Sequence, residues 1–338
     1  MPVKAAIPYD PGAPLVAWED GFPTLFATYG VMLHLEPLAQ EDGDRLETVN
    51  ALVRDWFGGA LRWTMTSVTS TIDPFRPEDL DYISGYPSTL PTPSLDLPAE
   101  EPVPAGVGIV QRRFAAASHE RFAVYTHGGA AENHASPYSY RFYADVLRPE
   151  LDVPVFETAS FIRVTVPVSC PVDELRDRAL RIAHALRVRW GAAGYMYSGW
   201  ELGWRRRYDQ AVYAHARRHS GFDVGIYENQ MPRWHEQVRT VSWLTFLGPS
   251  LRASLAKIGM EPRARGPVQV YALGDALVLQ AGERPEEGDV NRLALPAAYT
   301  AADAMVRPIR AAERVHFGVP WTERSTEDWL RRFEKRLG

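Results

Sequence analysis

The sequence predicts an α+β protein with antiparallel or mixed sheets, helices packed on one face, and two sublobes. Three observations carry this expectation. Near the C-terminus a strand-like run at 238–247 is followed by a short helix and then by two strands, an order foreign to the repeated unit of a doubly wound sheet. Residues 160–168 alternate Phe161, Arg163 and Thr165 with Ile162, Val164 and Val166, the period of a half-buried strand. The chain has 338 residues, 46% of them hydrophobic and 23% charged, which is enough apolar material for one large domain or two ordinary ones and excludes disorder as the main state.

The elements follow in order. Residues 25–36 are rich in aromatic and β-branched side chains and read as a strand. Leu46, Val49, Leu52, Val53 and Trp56 then recur at helical spacing, so 43–57 is an amphipathic helix. Residues 73–104 hold eight prolines, whose rings suit neither a helix interior nor a central strand. This extended segment reads as a domain linker or as a strap laid over the fold, and we favour the strap because Tyr82, Tyr86 and Leu90 would otherwise face solvent. Strands are expected at 107–113 and 121–126, with a third element at 138–146. A helix opens at Pro171 with Asp173 and Glu174 in its positive first turn and an apolar stripe of Val172, Leu175, Ala179, Ile182, Ala183 and Leu186. A second covers 205–219 and ends at Gly221 as a C-cap. After the strand at 238–247, Pro249 starts a helix that Gly259 stops. Strands at 268–273 and 276–281 meet at Gly274-Asp275, a tight-turn pair. Helices at 296–306 and 326–337 complete the chain.

The charge is uneven. Residues 1–110 carry 5 basic against 16 acidic side chains, a net of −11, whereas the remainder carries 32 against 26, a net of +6. The chain accordingly divides into an acidic N-terminal region (1–110, with the strap at 73–104) and a main α+β region (111–338), as two parts or as one compact unit. An acidic third argues against binding nucleic acid and for a basic protein partner. No run approaches the roughly 20 apolar residues of a membrane span, and the first residues lack a signal-peptide core, so a cytoplasmic protein is expected. Cys170 is the single cysteine, which excludes an internal disulfide and a multi-thiolate metal site.

Catalytic signatures are missing. The sequence has no phosphate loop, no dinucleotide fingerprint and no nucleophile elbow, and none of the three lysines stands two residues after an acid. His215 and His219 are four apart on a predicted helix, a spacing that lets two imidazoles face one metal, with Glu201 or Asp209 as a third ligand. A pair packed at a helix end is the simpler reading. His119, His127 and His134 read as solvent-exposed loop histidines. Cys170 precedes a helix N-terminus, where thiols are acidified, yet its apolar surroundings favour a packed side chain. Trp190, Tyr195, Tyr197, Trp200 and Trp204 form an aromatic cluster suited to packing or to anchoring an interface. Glu283, Glu286, Glu287 and Asp289 make an acidic loop, either a solvated turn or a surface in which carboxylates stand where phosphates would lie.

The blocks at 238–249, 270–282 and 288–292, closing on Leu295-Pro-Ala-Ala-Tyr299, resemble the type VI immunity family associated with VRR-NUC nuclease toxins. The likeness is clearest from 220 to 310, where Gly221-Phe-Asp-Val also fits, and extends more weakly back to about 155. The residues that carry it are structural, so it names a family without supplying a mechanism. It implies a non-enzymatic antidote that binds a cognate antibacterial toxin in the cytosol, with no cofactor, no catalytic residues and no bound metal. Contacts to that partner are expected from Asp96, Glu100 and Glu101 of the strap, from Trp200 and Trp204, and from Glu283, Glu286, Glu287 and Asp289. A homodimer fits the same reading. The alternatives are a metal-dependent hydrolase built on His215 and His219, and an adaptor or chaperone for secretion that docks through the aromatic cluster.

Overall fold

The computed structural model describes residues 13–17, 23–66, 71–89, 121–145, 160–199, 208–225, 237–310, 317 and 319–334. Its centre is one open, eleven-stranded antiparallel sheet. The strands are β1 (Val16–Ala17), β2 (Pro23–Leu35), β3 (Trp63–Thr66), β4 (Ile72–Pro74), β5 (Arg121–His127), β6 (Ser139–Asp145), β7 (Phe161–Pro167), β8 (Val188–Gly199), β9 (Leu244–Leu247), β10 (Val268–Leu273) and β11 (Ala276–Ala281). They are ordered β10-β11-β9-β8-β2-β7-β6-β5-β3-β4, with β1 paired to β2 beside this path. The helices are α1 (Gly43–Phe57), α2 (Asp81–Gly85), α3 (Val172–Ala185), α4 (Asp209–Arg218), α5 (Pro249–Lys257), α6 (Ala297–Val306) and α7 (Glu323–Leu330). The α+β expectation holds, and the sheet is antiparallel throughout rather than mixed.

β2 lies between β7 and β8 and pairs with β8 from Leu25 to Leu35. Opposed residues of an antiparallel ladder share a face, so Val31, Val164 and Tyr140 form one row and Leu33, Ile162 and Phe142 the next. All six are buried and join one core with Leu46, Val49, Leu52 and Val53 of α1 and with the Leu175, Ala179, Ile182 stripe of α3. Asn50 fixes α1 to the sheet. Its amide donates to the Leu80 carbonyl (2.7 Å) and its oxygen accepts from the Tyr140 hydroxyl (3.0 Å). A second hydrophobic cluster joins Leu25, Ala27 and Tyr197 to Val212 of α4, Phe222, and Trp321, Trp329 and Leu330 around α7.

Several segments differ from the sequence reading. β7 is buried on both faces: Arg163 and Thr165 have no exposure, and the Thr165 and Ser139 hydroxyls bond each other at 2.7 Å. Its polar face is therefore covered rather than solvated. Part of the expected strap is helical, because Pro77 sits at the start of a turn where its missing N–H is not needed, and α2 follows. Leu80 and Ile83 are buried there, Tyr86 stacks on Phe122 (4.7 Å), and Tyr82 is half exposed. Within 238–247 only the last four residues are strand. The Val238 N–H instead donates to Ile309 (2.9 Å) and the Trp243 carbonyl accepts from Ala281 (2.8 Å), so this backbone finds its partners in two different segments. The final helix starts earlier than expected because Thr322 and Ser325 form a capping box. The expected strand at 107–113 lies outside the described residues. The Gly274-Asp275 hairpin stands as read, with Gly274 at φ +58°.

Candidate functional site

The acidic loop after β11 is held by α4. The helix ends with Arg218 and His219, and Gly221 then brings the chain against the loop. The Gly221 N–H donates to the Glu287 carbonyl (2.7 Å), and the His219 Nδ1–H to the Gly288 carbonyl (3.0 Å). Arg218 pairs with Asp289 (3.0 Å) and holds its carboxyl below the usual range, while Asp289 also accepts from the Asn291 N–H (3.0 Å). Gly221 is thus required by close approach and not as a left-handed cap: a Cβ there would lie 1.7 Å from the Glu286 carbonyl oxygen. Replacing Gly221 with alanine is expected to displace this loop and to cost about 1–3 kcal/mol by overpacking. Hydrogen exchange at 284–289 together with the melting temperature checks it.

Of the loop carboxylates, Glu283 and Glu286 are exposed and have no ion-pair partner among the described residues. Glu287 is half-buried, 3.8 Å from His219. Asp289, read from sequence as a contact for a partner, pairs with Arg218 in the structure. Asp96, Glu100, Glu101, Trp200 and Trp204 lie outside the described residues, whereas Trp190, Tyr195 and Tyr197 pack in the two cores.

His215 and His219 stack at 4.4 Å. His215 Nδ1 shares a hydrogen bond with the Tyr197 hydroxyl (2.9 Å), and burial, then His219 and Arg218, push its pKa down to about 3. The Nδ1 atoms of both rings are engaged by the protein itself. Among the described residues no group of three His, Cys, Asp or Glu side chains is placed to hold a metal ion, although Asp209 opens the same helix, and Glu201 is outside those residues. The pair packs at the end of α4 against Tyr197 and Phe222. Cys170 resembles a nucleophile no more closely: desolvation, then Glu174, raise its thiol to about 11, opposite to activation. His127 corrects its reading as a loop residue. It closes β5 with no exposure, stacks on Tyr125 (5.3 Å), accepts from the Gly129 N–H (3.2 Å), and has its pKa pushed down to about 4 by burial. His134 is half-buried in the turn after β5, and His119 is outside the described residues.

A second acidic feature escaped the sequence reading. A groove of about 460 Å³ between α1 and α2 is lined by Glu41, Asp44, Glu47 and Asp81 with Ser84 and Ser88. Burial opposes ionisation of Glu47, but bonds from Ser84 (2.9 Å) and Arg54 prevail and keep its carboxyl below the usual range. Only the charge surplus of the first 110 residues pointed this way. Glu41 and Asp81 lie 40 positions apart in sequence, and folding α2 back onto α1 is what gathers these acids.

No helix among the described residues is long and apolar enough to cross a membrane. No curated protein matches the chain. Among solved structures it is similar to the Pseudomonas aeruginosa T6SS protein PA0821, with a TM-score of 0.64 and 18% identity over 93% of this chain and 86% of that one, which shows a shared fold. The family model described as type VI immunity for VRR-NUC matches residues 103–333, more than half of the chain and all the strands from β5 onward. With that match over residues 103–333, the chain belongs to the family of type VI immunity proteins for VRR-NUC.

Proposed function

We propose that the protein binds a cognate VRR-NUC nuclease toxin in the cytosol and blocks it without catalysis, by covering the surface through which the toxin reaches nucleic acid. The observation that carries this reading is the family match, which gives the immunity role. The chemistry of the surface supports the mode. A nuclease must present cations to phosphates, and this chain offers exposed carboxylates at Glu283 and Glu286 and an acidic groove at Glu41, Asp44, Glu47 and Asp81. The carboxylates bind as phosphate mimics, with long-range attraction speeding capture. Speed matters because a nuclease damages its target from the moment it arrives.

Expression of the toxin with and without this chain tests the reading. Survival, a stable complex and loss of nuclease activity at equimolar antidote are the expected results, and rescue without physical association would sink occlusion. Charge reversal by Glu283→Lys with Glu286→Lys, or by Asp44→Lys with Glu41→Lys, is expected to slow association several-fold at low ionic strength. The difference should shrink in salt. On-rates that ignore both pairs would remove the electrostatic part.

A further inference from the structure

The two ends of the sheet are finished differently. β4 has three residues and ends on Pro74, which has no N–H to offer a further strand. At the other end β10 runs six residues, Val268–Leu273, without a charged side chain or a proline, the devices that normally protect an edge. The Val268 N–H and C=O are both taken by Arg265 (3.1 and 3.0 Å), on the side away from β11. Backbone groups alternate in an antiparallel pair, so Gln269, Tyr271 and Leu273 turn theirs to β11 while Val270 and Ala272 turn theirs outward. Among the described residues nothing pairs with that outward side of Val270 and Ala272. Gln269 and Ala272 are exposed, and Val270, Tyr271 and Leu273 half-buried.

We propose that this edge pairs with the same edge of a second copy of the chain, continuing the sheet across a two-fold axis at Ala272. Arg265 sets the register. It fills the position outside Val268, so an incoming strand can pair only beyond that point. An overlap centred on Ala272 places that residue opposite its own counterpart, with the Gly274 turns of the two copies beyond its ends. Tyr271 meets the second copy's Leu273 twice, an aromatic–aliphatic cross-strand pair of the kind that stabilises a ladder. The charges agree. Arg265 and Asp275 are both exposed at opposite ends of the outward edge, and the two-fold brings each beside the other's counterpart. The overlap is short compared with the roughly 1,200–2,000 Å² of a standard interface, so association is weak and depends on concentration.

The test uses the full chain and does not depend on the toxin reading. Light scattering or sedimentation over a dilution series should show the mass rising from 38.0 kDa toward twice that value as concentration increases. Ala272→Pro should stay at 38.0 kDa, because the ring removes the outward donor while leaving the ladder to β11 intact. Unchanged circular dichroism and melting verify that the variant folds. Arg265→Glu should weaken association, and Arg265→Glu with Asp275→Arg should restore it. The proposal is overturned if the chain is monomeric at every concentration, or if Ala272→Pro associates like the wild type. A monomeric wild type whose toxin binding is lost in Ala272→Pro would also overturn it, assigning the edge to the toxin.

Discussion

Alanine in place of Asp223 is expected to cost about 3–5 kcal/mol of folding stability. Asp223 and Arg239 have no exposure and are joined by a direct ion pair. Desolvation, then the charge of Arg332, pull the Arg239 guanidinium down to about 9, and its plane lies over Trp190 at 4.9 Å. The Asp223 N–H meanwhile donates to Tyr195 of β8 (2.8 Å), so the acid belongs to the sheet while the arginine belongs to the irregular run before β9. Removing the carboxylate leaves a buried cation facing its own desolvation cost. Replacing both partners by apolar residues of similar volume, Asp223→Leu with Arg239→Met, is expected to recover much of the loss. Urea unfolding of the three variants decides it, and a loss below about 1 kcal/mol in Asp223→Ala would mean that water reaches the pair.

Acid should unfold the protein early, through two histidines. His127 and His215 have folded pKa values near 4 and 3, lowered by burial from the ordinary value of 6.5. A depressed histidine pKa means that the unfolded chain takes up the proton first, so stability is complete above 6.5 and falls as pH drops toward 4. Each residue contributes on the order of 3 kcal/mol to that fall. Comparing urea midpoints at neutral pH and near pH 5 measures the slope. His127→Gln and His215→Gln should each flatten it, even where they lower stability at neutral pH. A slope unchanged in both variants would show that these rings are protonated in the folded state. Unlike the carboxylate behaviour of Asp289, which a hydrogen bond from Arg218 leads, this effect is led by burial.

The helices were the most legible elements. α1 matches its expected span, and α3 and α5 differ by no more than a residue or two, because each carries an apolar stripe at helical spacing and a start signal within its own first turn. The hairpin of β10 and β11 was equally clear from Gly274-Asp275. Less was visible where a residue's role depends on a distant partner. Asp289 reads as one more acid in an exposed run, yet Arg218, 71 positions away, neutralises it. His127 reads as a loop residue beside glycines, yet β3 and β6 cover it from either side.

By itself, then, the sequence determined the α+β class, the helices, the hairpin and, through short blocks in a fixed order, the family. Only the tertiary structure decided that β2 lies at the centre of the sheet, that Arg163 and Arg239 are buried, and which loop carboxylates are exposed. The physical reason is one of range. Helix periodicity and turn chemistry act between neighbours along the chain and are written in their spacing. Strand pairing uses backbone groups that are the same in every residue, and desolvation depends on which side chains arrive opposite, so neither is legible until distant segments have met.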